Sequence, residues 1–324
     1  ENPVYGSSAC GEWWSAYLLT SESEDPIEIR IHNPHRFGNE TAIDELLSNT
    51  AFWTGFDFEK GEDYVTVCGN LKSAEYEIRG DISSQFITGL LFTLPLLEGD
   101  SEIRLTTPLQ SAPYVDITID VLSRFGVDIV KTPTGFFIKG CQAYKPCNDV
   151  CEGDWSNGAF LDGFNLADGE VILENMNCHS KQGDMIYKDY FRLLCDGTPQ
   201  LDISHCPDLG PVLIACAVLK NGATLKGTNR LKIKESDRGV AMAQELKKFG
   251  VNIEIGDDYI TIPQCKLCTP CESIDCHNDH RIAMSFALLC SVVGGTLVGA
   301  ECVKKSYPDF FEHIKKIGIE YKII

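Results

Sequence analysis

Long apolar runs are missing from this 324-residue sequence, and no stretch is long or pure enough to cross a bilayer as a helix. A basic-then-apolar leader is also missing from its opening residues. Both absences set the expectation of a protein that is neither secreted nor membrane-bound, and so cytoplasmic. Positive charge is scarce: Lys and Arg total 28 against 47 Asp and Glu, for a net charge of -19. A bulk field of that sign argues against nucleic acid as a partner. It does not exclude a small anionic substrate, because a local pocket of cations sets the field that a ligand meets.

What is present suits a globular protein with two cores: 44% hydrophobic and 23% charged residues. The break is expected near residues 144–152, where Pro146, Asn148 and Asp149 interrupt the pattern, giving domains 1–150 and 151–324. The 15 cysteines are scattered among apolar residues, as at Cys195, Cys216 and Cys290, and read as reduced core thiols. Cys265, Cys268 and Cys271, with Cys276 and His277 beyond, have a spacing that could hold zinc or an iron–sulfur cluster. No second pair completes a recognisable site, so a cysteine-rich loop after a strand at 259–262 is the expectation, with no metal.

The main organisational signal is repetition with a period of about seventy residues. One unit is a polar turn, an apolar helix, a glycine and a strand. It reads at Ser83–Gln85 into 86–97 and 103–105, at 154–157 into 171–173, at Pro207–Leu209 into 212–219, and at Asp279–Arg281 into 282–293. A fainter copy opens the chain at 11–31. The other unit is an amphipathic helix ending in glycine, then two short strands, as at 121–129, 246–253 and 314–319, with looser copies at 44–67 and 182–194. Five alternating pairs result, an α/β (α+β) arrangement of βαβαββ units with helices inside and sheets outside.

The polar turns would then converge. They hold Ser83, Ser84, Gln85, Ser111, Tyr114, Asp208, Lys234, Glu235, Arg238, His280, Arg281 and Lys305. Ordinary caps account for polar residues at helix starts. Cations there, added to unpaired backbone N–H groups and helix dipoles, favour a small, multiply anionic ligand. The densest stretch is 229–238, with Arg230, Lys232, Lys234 and Arg238 around Glu235 and Asp237. It precedes a helix with Val240, Ala243, Leu246 and Phe249 at helical spacing, stopped by Gly250 and capped by Ser236 or Asp237.

Eight strings in order carry a family resemblance. They are Gly80-Asp-Ile-Ser-Ser-Gln-Phe86, Ser111-Ala-Pro-Tyr-Val-Asp-Ile-Thr118, Glu152-Gly-Asp-Trp-Ser156 and Lys181-Gln-Gly-Asp184, followed by Pro207-Asp208, Lys234-Glu-Ser-Asp-Arg238, Asp279-His-Arg-Ile-Ala-Met284 and Lys305-Ser-Tyr-Pro308. Together they resemble the 5-enolpyruvylshikimate-3-phosphate synthase (3-phosphoshikimate 1-carboxyvinyltransferase) family. The resemblance implies two domains of three repeats each, a catalytic cleft between them, and no cofactor. It implies phosphoenolpyruvate and shikimate 3-phosphate as the small-molecule partners. The 5-hydroxyl adds to C2 of phosphoenolpyruvate, C3 is protonated, and the adduct loses phosphate. Carried onto this sequence, Asp208, Glu235 and His280 are catalytic. Ser83, Ser84, Gln85, Ser111, Tyr114, Asp208 and Lys234 hold shikimate 3-phosphate; Gln85, Arg238, Arg281 and Lys305 hold phosphoenolpyruvate.

The sequence departs from the family at its front. A further repeat with a Ser-Lys-Ser turn and an Arg has no counterpart, and the next landmark, at 6–14, ends Gly-Glu-Trp-Trp without an Arg; Arg36 is a loose candidate for a later one. The N-terminal domain is therefore expected to be incomplete. Two rivals stay open: a degenerate relative that binds ligand or partner without catalysis, and the UDP-N-acetylglucosamine enolpyruvyl transferases, which share the repeat.

Overall fold

The computed structural model describes residues 27–30, 57–60, 64–68, 71–81 and 84–323, the first three segments by backbone alone. The expected repeat copies at 11–19 and 44–47, together with Arg36 and Ser83, lie outside the described residues. Two compact units form, residues 1–150 and 151–324.

In the first unit, β1 (Ile27–Arg30), β3 (Tyr64–Cys68) and β2 (Asp57–Lys60) make an antiparallel sheet in that order. A second sheet has the order β4-β5-β7-β6, from β4 (Glu75–Ile78), β5 (Ser101–Leu105), β7 (Gly135–Ile138) and β6 (Ile129–Thr132). β4 and β5 run parallel, with Tyr76 opposite Ile103, and the other pairs are antiparallel. Period-two alternation buries Tyr76 and Ile103 and exposes Glu75 and Arg104. The buried side meets α1 (Ser84–Thr93), which crosses from β4 to β5, and α2 (Ala112–Arg124), which leaves β5. Ile87, Leu90, Leu91, Val115 and Leu122 fill that core. Parallel strands joined by a crossover send both helices back against the strand direction. The starts of α1 and α2 therefore share the end where β4 and β5 finish.

The second unit repeats that sheet. β8 (Gln200–Asp202), β9 (Ala223–Lys226), β11 (Tyr259–Ile262) and β10 (Glu254–Ile255) follow the same order and sense, parallel then antiparallel twice. Its helices are α3 (Trp155–Gly163), α4 (Tyr187–Asp196), α5 (Gly210–Leu219) and α6 (Arg238–Leu246). β12 (Ile274–Asp275), α7 (His280–Val293) and β13 (Leu297–Val298) form a further parallel crossover, and α8 (Phe310–Lys316) follows. α5 is apolar all round and buried from Gly210 to Val218, as a helix enclosed by others must be. α7 is buried over its first ten residues, His280 to Leu289.

Four expectations fail for local reasons. Residues 171–173 form no strand, because the Asn165 side chain takes both the N–H (2.6 Å) and the carbonyl (2.9 Å) of Val171, which a ladder would need. Residues 319–323 form none either: the Ile319 N–H closes the helix end on the Ile314 carbonyl at 3.0 Å. Of the set expected at helical spacing, Leu246 and Phe249 are buried but Val240 is exposed and Ala243 half-buried; Ala241, Met242 and Glu245 complete the buried face of α6. The Val240 N–H is taken by the capping Asp237 at 3.0 Å and its side chain faces out. Lys305 sits at the end of a 3-10 turn, Ala300–Lys305, rather than at a helix start.

Candidate active site

Two groups of helix starts result, one in each unit. In the first unit, Ser84 opens α1 and is buried, while the adjacent Gln85 is exposed. Ser111 precedes α2 in a left-handed conformation, φ 55° and ψ 34°, fully buried. Its Oγ has no hydrogen-bond partner among the described residues. The Tyr114 N–H bonds the Ser111 carbonyl at 3.1 Å, which aligns the first turn. Three contacts hold the two starts together. The Gln110 N–H donates to the Gly80 carbonyl at 3.0 Å. A Cβ on Gly80 would lie 2.8 Å from the Thr107 carbonyl oxygen, so only glycine lets the turns approach this closely. One turn inward, Thr88 Oγ1 and Thr118 Oγ1 are 3.3 Å apart. The polar groups at these helix starts are hydroxyls, the Gln85 amide and backbone amides.

The second unit gathers four helix starts, and charge holds them. Asp208 lies on the 3-10 turn Pro207–Leu209 that leads into α5. It accepts from Arg238 Nη1 (2.8 Å) and Arg281 Nη2 (3.1 Å), and Lys234 Nζ is 3.1 Å away. Arg238, the first residue of α6, is 1% exposed; its Nη2 donates to Glu235 at 2.6 Å and its Nε to Asp279 at 2.9 Å. Asp279 is fully buried, caps α7 through the Arg281 N–H at 2.9 Å, and accepts from Ser236 Oγ at 3.1 Å. Arg281 Nη1 reaches Ser156 Oγ on α3 at 2.7 Å. The Lys305 ammonium donates to the Asn278 carbonyl, just before α7. So Asp208, Lys234, Glu235, Arg238, His280, Arg281 and Lys305 share one region.

The basic stretch at 229–238 divides. Lys234 and Arg238 join the network, while Lys232 turns outward to Asn229 and the Asp257 carbonyl and is no part of it. Asp237, not Ser236, caps α6.

The electrostatics follow from burial and company. Burial by itself would raise the Asp208 carboxyl, but Arg281, Lys234 and Arg238 outweigh it and hold it well below the usual carboxylate range. The Asp279 carboxyl, also resisted by burial, is drawn down to about 2 by Arg238. Burial first and Arg281 second push His280 down to about 4, so it is a neutral imidazole near neutral pH. Its Nδ1 is buried without a partner among the described residues, as are Asn157 Oδ1 and Ser306 Oγ. Buried polar atoms are nearly always bonded, so such a group marks a place a ligand or water completes. Two contributors were not singled out from the sequence: Asp279 and Ser156. Both stand inside motif strings quoted above, and only their fold partners show what they hold.

Among the described residues no group of three or more His, Cys, Asp or Glu is placed to hold a metal. Cys268 and Cys271 are exposed, while Cys276 is buried and keeps its thiol proton, directed at the Cys302 sulfur. No helix among the described residues is long and apolar enough to cross a membrane.

Residues 55–193 and 195–314 match the family model described as EPSP synthase (3-phosphoshikimate 1-carboxyvinyltransferase). A 3-phosphoshikimate 1-carboxyvinyltransferase of Clostridium botulinum (strain Alaska E43 / Type E3) is 39% identical over 285 residues, covering 81% of this chain and 66% of the relative. One from Clostridium kluyveri is 41% identical over 282 residues, with coverage of 81% and 66%. The chain thus spans about 66% of the length of these curated relatives. An EPSP synthase structure from Acinetobacter baumannii superposes with a TM-score of 0.74 at 21% identity, covering 98% of this chain and 79% of that one. The enolpyruvyl transferase NikO from Streptomyces tendae gives 0.65 at 13%, covering 95% and 75%. These establish the fold, and the resemblance read from the motif strings is borne out.

Proposed function

The chain belongs to the EPSP synthase (3-phosphoshikimate 1-carboxyvinyltransferase) family, and from that premise we propose that it serves transfer of the enolpyruvyl group from phosphoenolpyruvate to the 5-hydroxyl of shikimate 3-phosphate, with release of phosphate. The setting would be the cytoplasm, with small molecules and not nucleic acid as partners. The carrying observation is Asp208 ringed by Arg238, Arg281 and Lys234, cations brought from two separate segments, 234–238 and the start of α7.

In this reading Arg238, Arg281 and Lys305, with Gln85, take the carboxylate and phosphate of phosphoenolpyruvate; planar guanidinium forks suit both groups. Ser83, Ser84, Gln85, Ser111, Tyr114 and Lys234 take the phosphate and ring hydroxyls of shikimate 3-phosphate. Asp208 removes the proton of the attacking hydroxyl, and Glu235 delivers and removes the proton at C3. Neutral His280 polarises the departing phosphate. The resting site holds Asp208 too low to be a strong base. Anionic substrates compete for the same three cations, and each cation drawn off raises the carboxyl toward useful basicity. Substrate arrival thereby switches the base on.

Phosphate release by the purified chain with both substrates present tests the reading, and no release overturns it for this chain. Arg281→Ala should abolish phosphoenolpyruvate binding while circular dichroism stays unchanged, because Asp208 keeps Arg238 and Lys234. The rival reading is a relative that binds ligand without turnover. Calorimetry showing shikimate 3-phosphate bound, with no phosphate released, would select it.

A further inference from the structure

The first turn of α3 is the one element of the second site that brings no charge. Ser156 is buried, and its N–H is fixed by the cap Asp154 at 2.8 Å. Its Oγ receives Arg281 Nη1 at 2.7 Å. One helical turn on, the Phe160 ring lies 5.9 Å below the same guanidinium. Residues four apart share a helix face, so α3 presents Arg281 with a hydroxyl and an aromatic ring side by side. The next residue, Asn157, donates its amide to the Ser306 carbonyl at 3.2 Å, fixing the backbone immediately after Lys305. A single turn therefore touches both cation-bearing segments, one through the side chain and one through the main chain.

The chemistry of these partners differs from that of Asp208. A carboxylate orients a guanidinium but cancels part of its charge, and an incoming anion must compete with it. A hydroxyl and a ring face orient the guanidinium and leave its charge available. The unpartnered Asn157 Oδ1 and Ser306 Oγ lie at the second contact, where a bound group or its water can complete them.

We infer that Ser156 and Asn157 are positioning residues: the first turn of α3 sets Arg281 and Lys305 in the spacing with which two cations grip one anionic group. The inference rests on the proposed role of Arg281 and Lys305 as anion holders. Its test uses the whole chain and two probes, phosphoenolpyruvate and inorganic phosphate, titrated by calorimetry into the wild type, Ser156→Ala, Ser156→Thr and Asn157→Ala. Loss of a hydrogen bond to a charged group corresponds to roughly ten-fold in affinity. Ser156→Ala should weaken both probes about ten-fold, and Ser156→Thr, which keeps the hydroxyl, should restore binding to within about three-fold. Asn157→Ala should weaken binding only while Lys305 is present, so that Asn157→Ala/Lys305→Ala matches Lys305→Ala alone. In turnover, Ser156→Ala should raise KM for phosphoenolpyruvate and leave kcat nearly unchanged, as expected when ground state and transition state lose the same contact.

A merely structural role predicts a lower melting temperature with unchanged affinity in every folded variant, and that result overturns the inference. If Ser156→Ala does not fold, Ser156→Cys, close in size and a weak acceptor, gives the same reading. A wild type that binds phosphate but not phosphoenolpyruvate would sink the enolpyruvyl reading, while the phosphate titrations still decide the positioning role. A wild type that binds neither probe overturns both.

Discussion

The two units solve the same problem with different materials. In the first, the turns after β4 and β5 are drawn together by a glycine contact and backbone bonds, and what they present is hydroxyls: Ser84, Ser111 and Tyr114. In the second, the helix starts are cross-linked by charge, with Arg238 bonded to Asp208, Glu235 and Asp279 at once. The hydroxyl site is carried by its scaffold. The charged site is part of its own scaffold, because its residues are buried and need one another. Site and fold should therefore be separable in the first unit, and coupled in the second at the buried Arg238–Asp279 pair.

The largest effect should come from Asp279→Ala. It strips a buried guanidinium of one partner and removes the cap of α7 together. Breaking a buried ion pair on one side costs about 3–5 kcal/mol. For a unit of this size that lowers the melting temperature by roughly 6–20 °C. The counterpart Ser84→Ala in the first unit should cost at most about 1 kcal/mol. Thermal unfolding of the two variants measures the contrast, and equal shifts would break it.

Acid should separate the units next. His280 has its folded value depressed to about 4 from an ordinary 6.5. The unfolded chain then binds the extra proton first as pH falls, so stability is lost between pH 6.5 and 4 and levels off below. The loss should be on the order of 3 kcal/mol. Asp208 and Asp279 act lower: their depressed carboxyls stabilise the fold above the ordinary carboxylate value, and that contribution drains away as pH falls toward 2. In the first unit, Asp81 is also held at about 2, by the Arg79 side chain first, but that pair is largely exposed and screening makes it weak. Hydrogen exchange followed separately in each unit should show the second loosening first below pH 6.5. His280→Asn should abolish that early step and leave the later one. An unchanged profile in the variant would assign the early step to other groups.

How much of this could be read without coordinates follows from the same contrast. The repeat of helix and strand units is legible as alternating periodicity, while the strand orders β4-β5-β7-β6 and β8-β9-β11-β10 are not. Residues 171–173 looked like a strand because an apolar run cannot reveal that Asn165 has taken the bonds of Val171. The cations at 229–238 were visible as a cluster, yet the sequence could not say that Lys232 faces away while Arg238 is buried. Spacing shows which residues neighbour a turn, not which partner each finds across the fold. Ser156 is the clearest instance: its partner Arg281 is 125 positions away, and nothing in its own surroundings announces a guanidinium.

The smallest effect is the most discriminating, because its sign should be opposite. Ser111 is a non-glycine residue at φ 55°, and its buried hydroxyl has no partner among the described residues. Left-handed backbone costs a side-chain-bearing residue about 1 kcal/mol, and an unbonded buried hydroxyl adds about 1 kcal/mol or more. Strain of this kind persists where a function requires it. Ser111→Gly removes both costs and gives back part of the gain through a more flexible unfolded chain, for a net stabilisation of about 0.5–1 kcal/mol. The same change should lower affinity for shikimate 3-phosphate if the proposed role of that hydroxyl as a ligand group holds. Melting temperature and calorimetry on one variant thus read both terms. A variant that is more stable and binds less marks Ser111 as a site residue carried at the expense of the fold, the reverse of Asp279. A variant that is less stable would mean that the hydroxyl serves the first unit's own structure, and the contrast between the two units would fall with it.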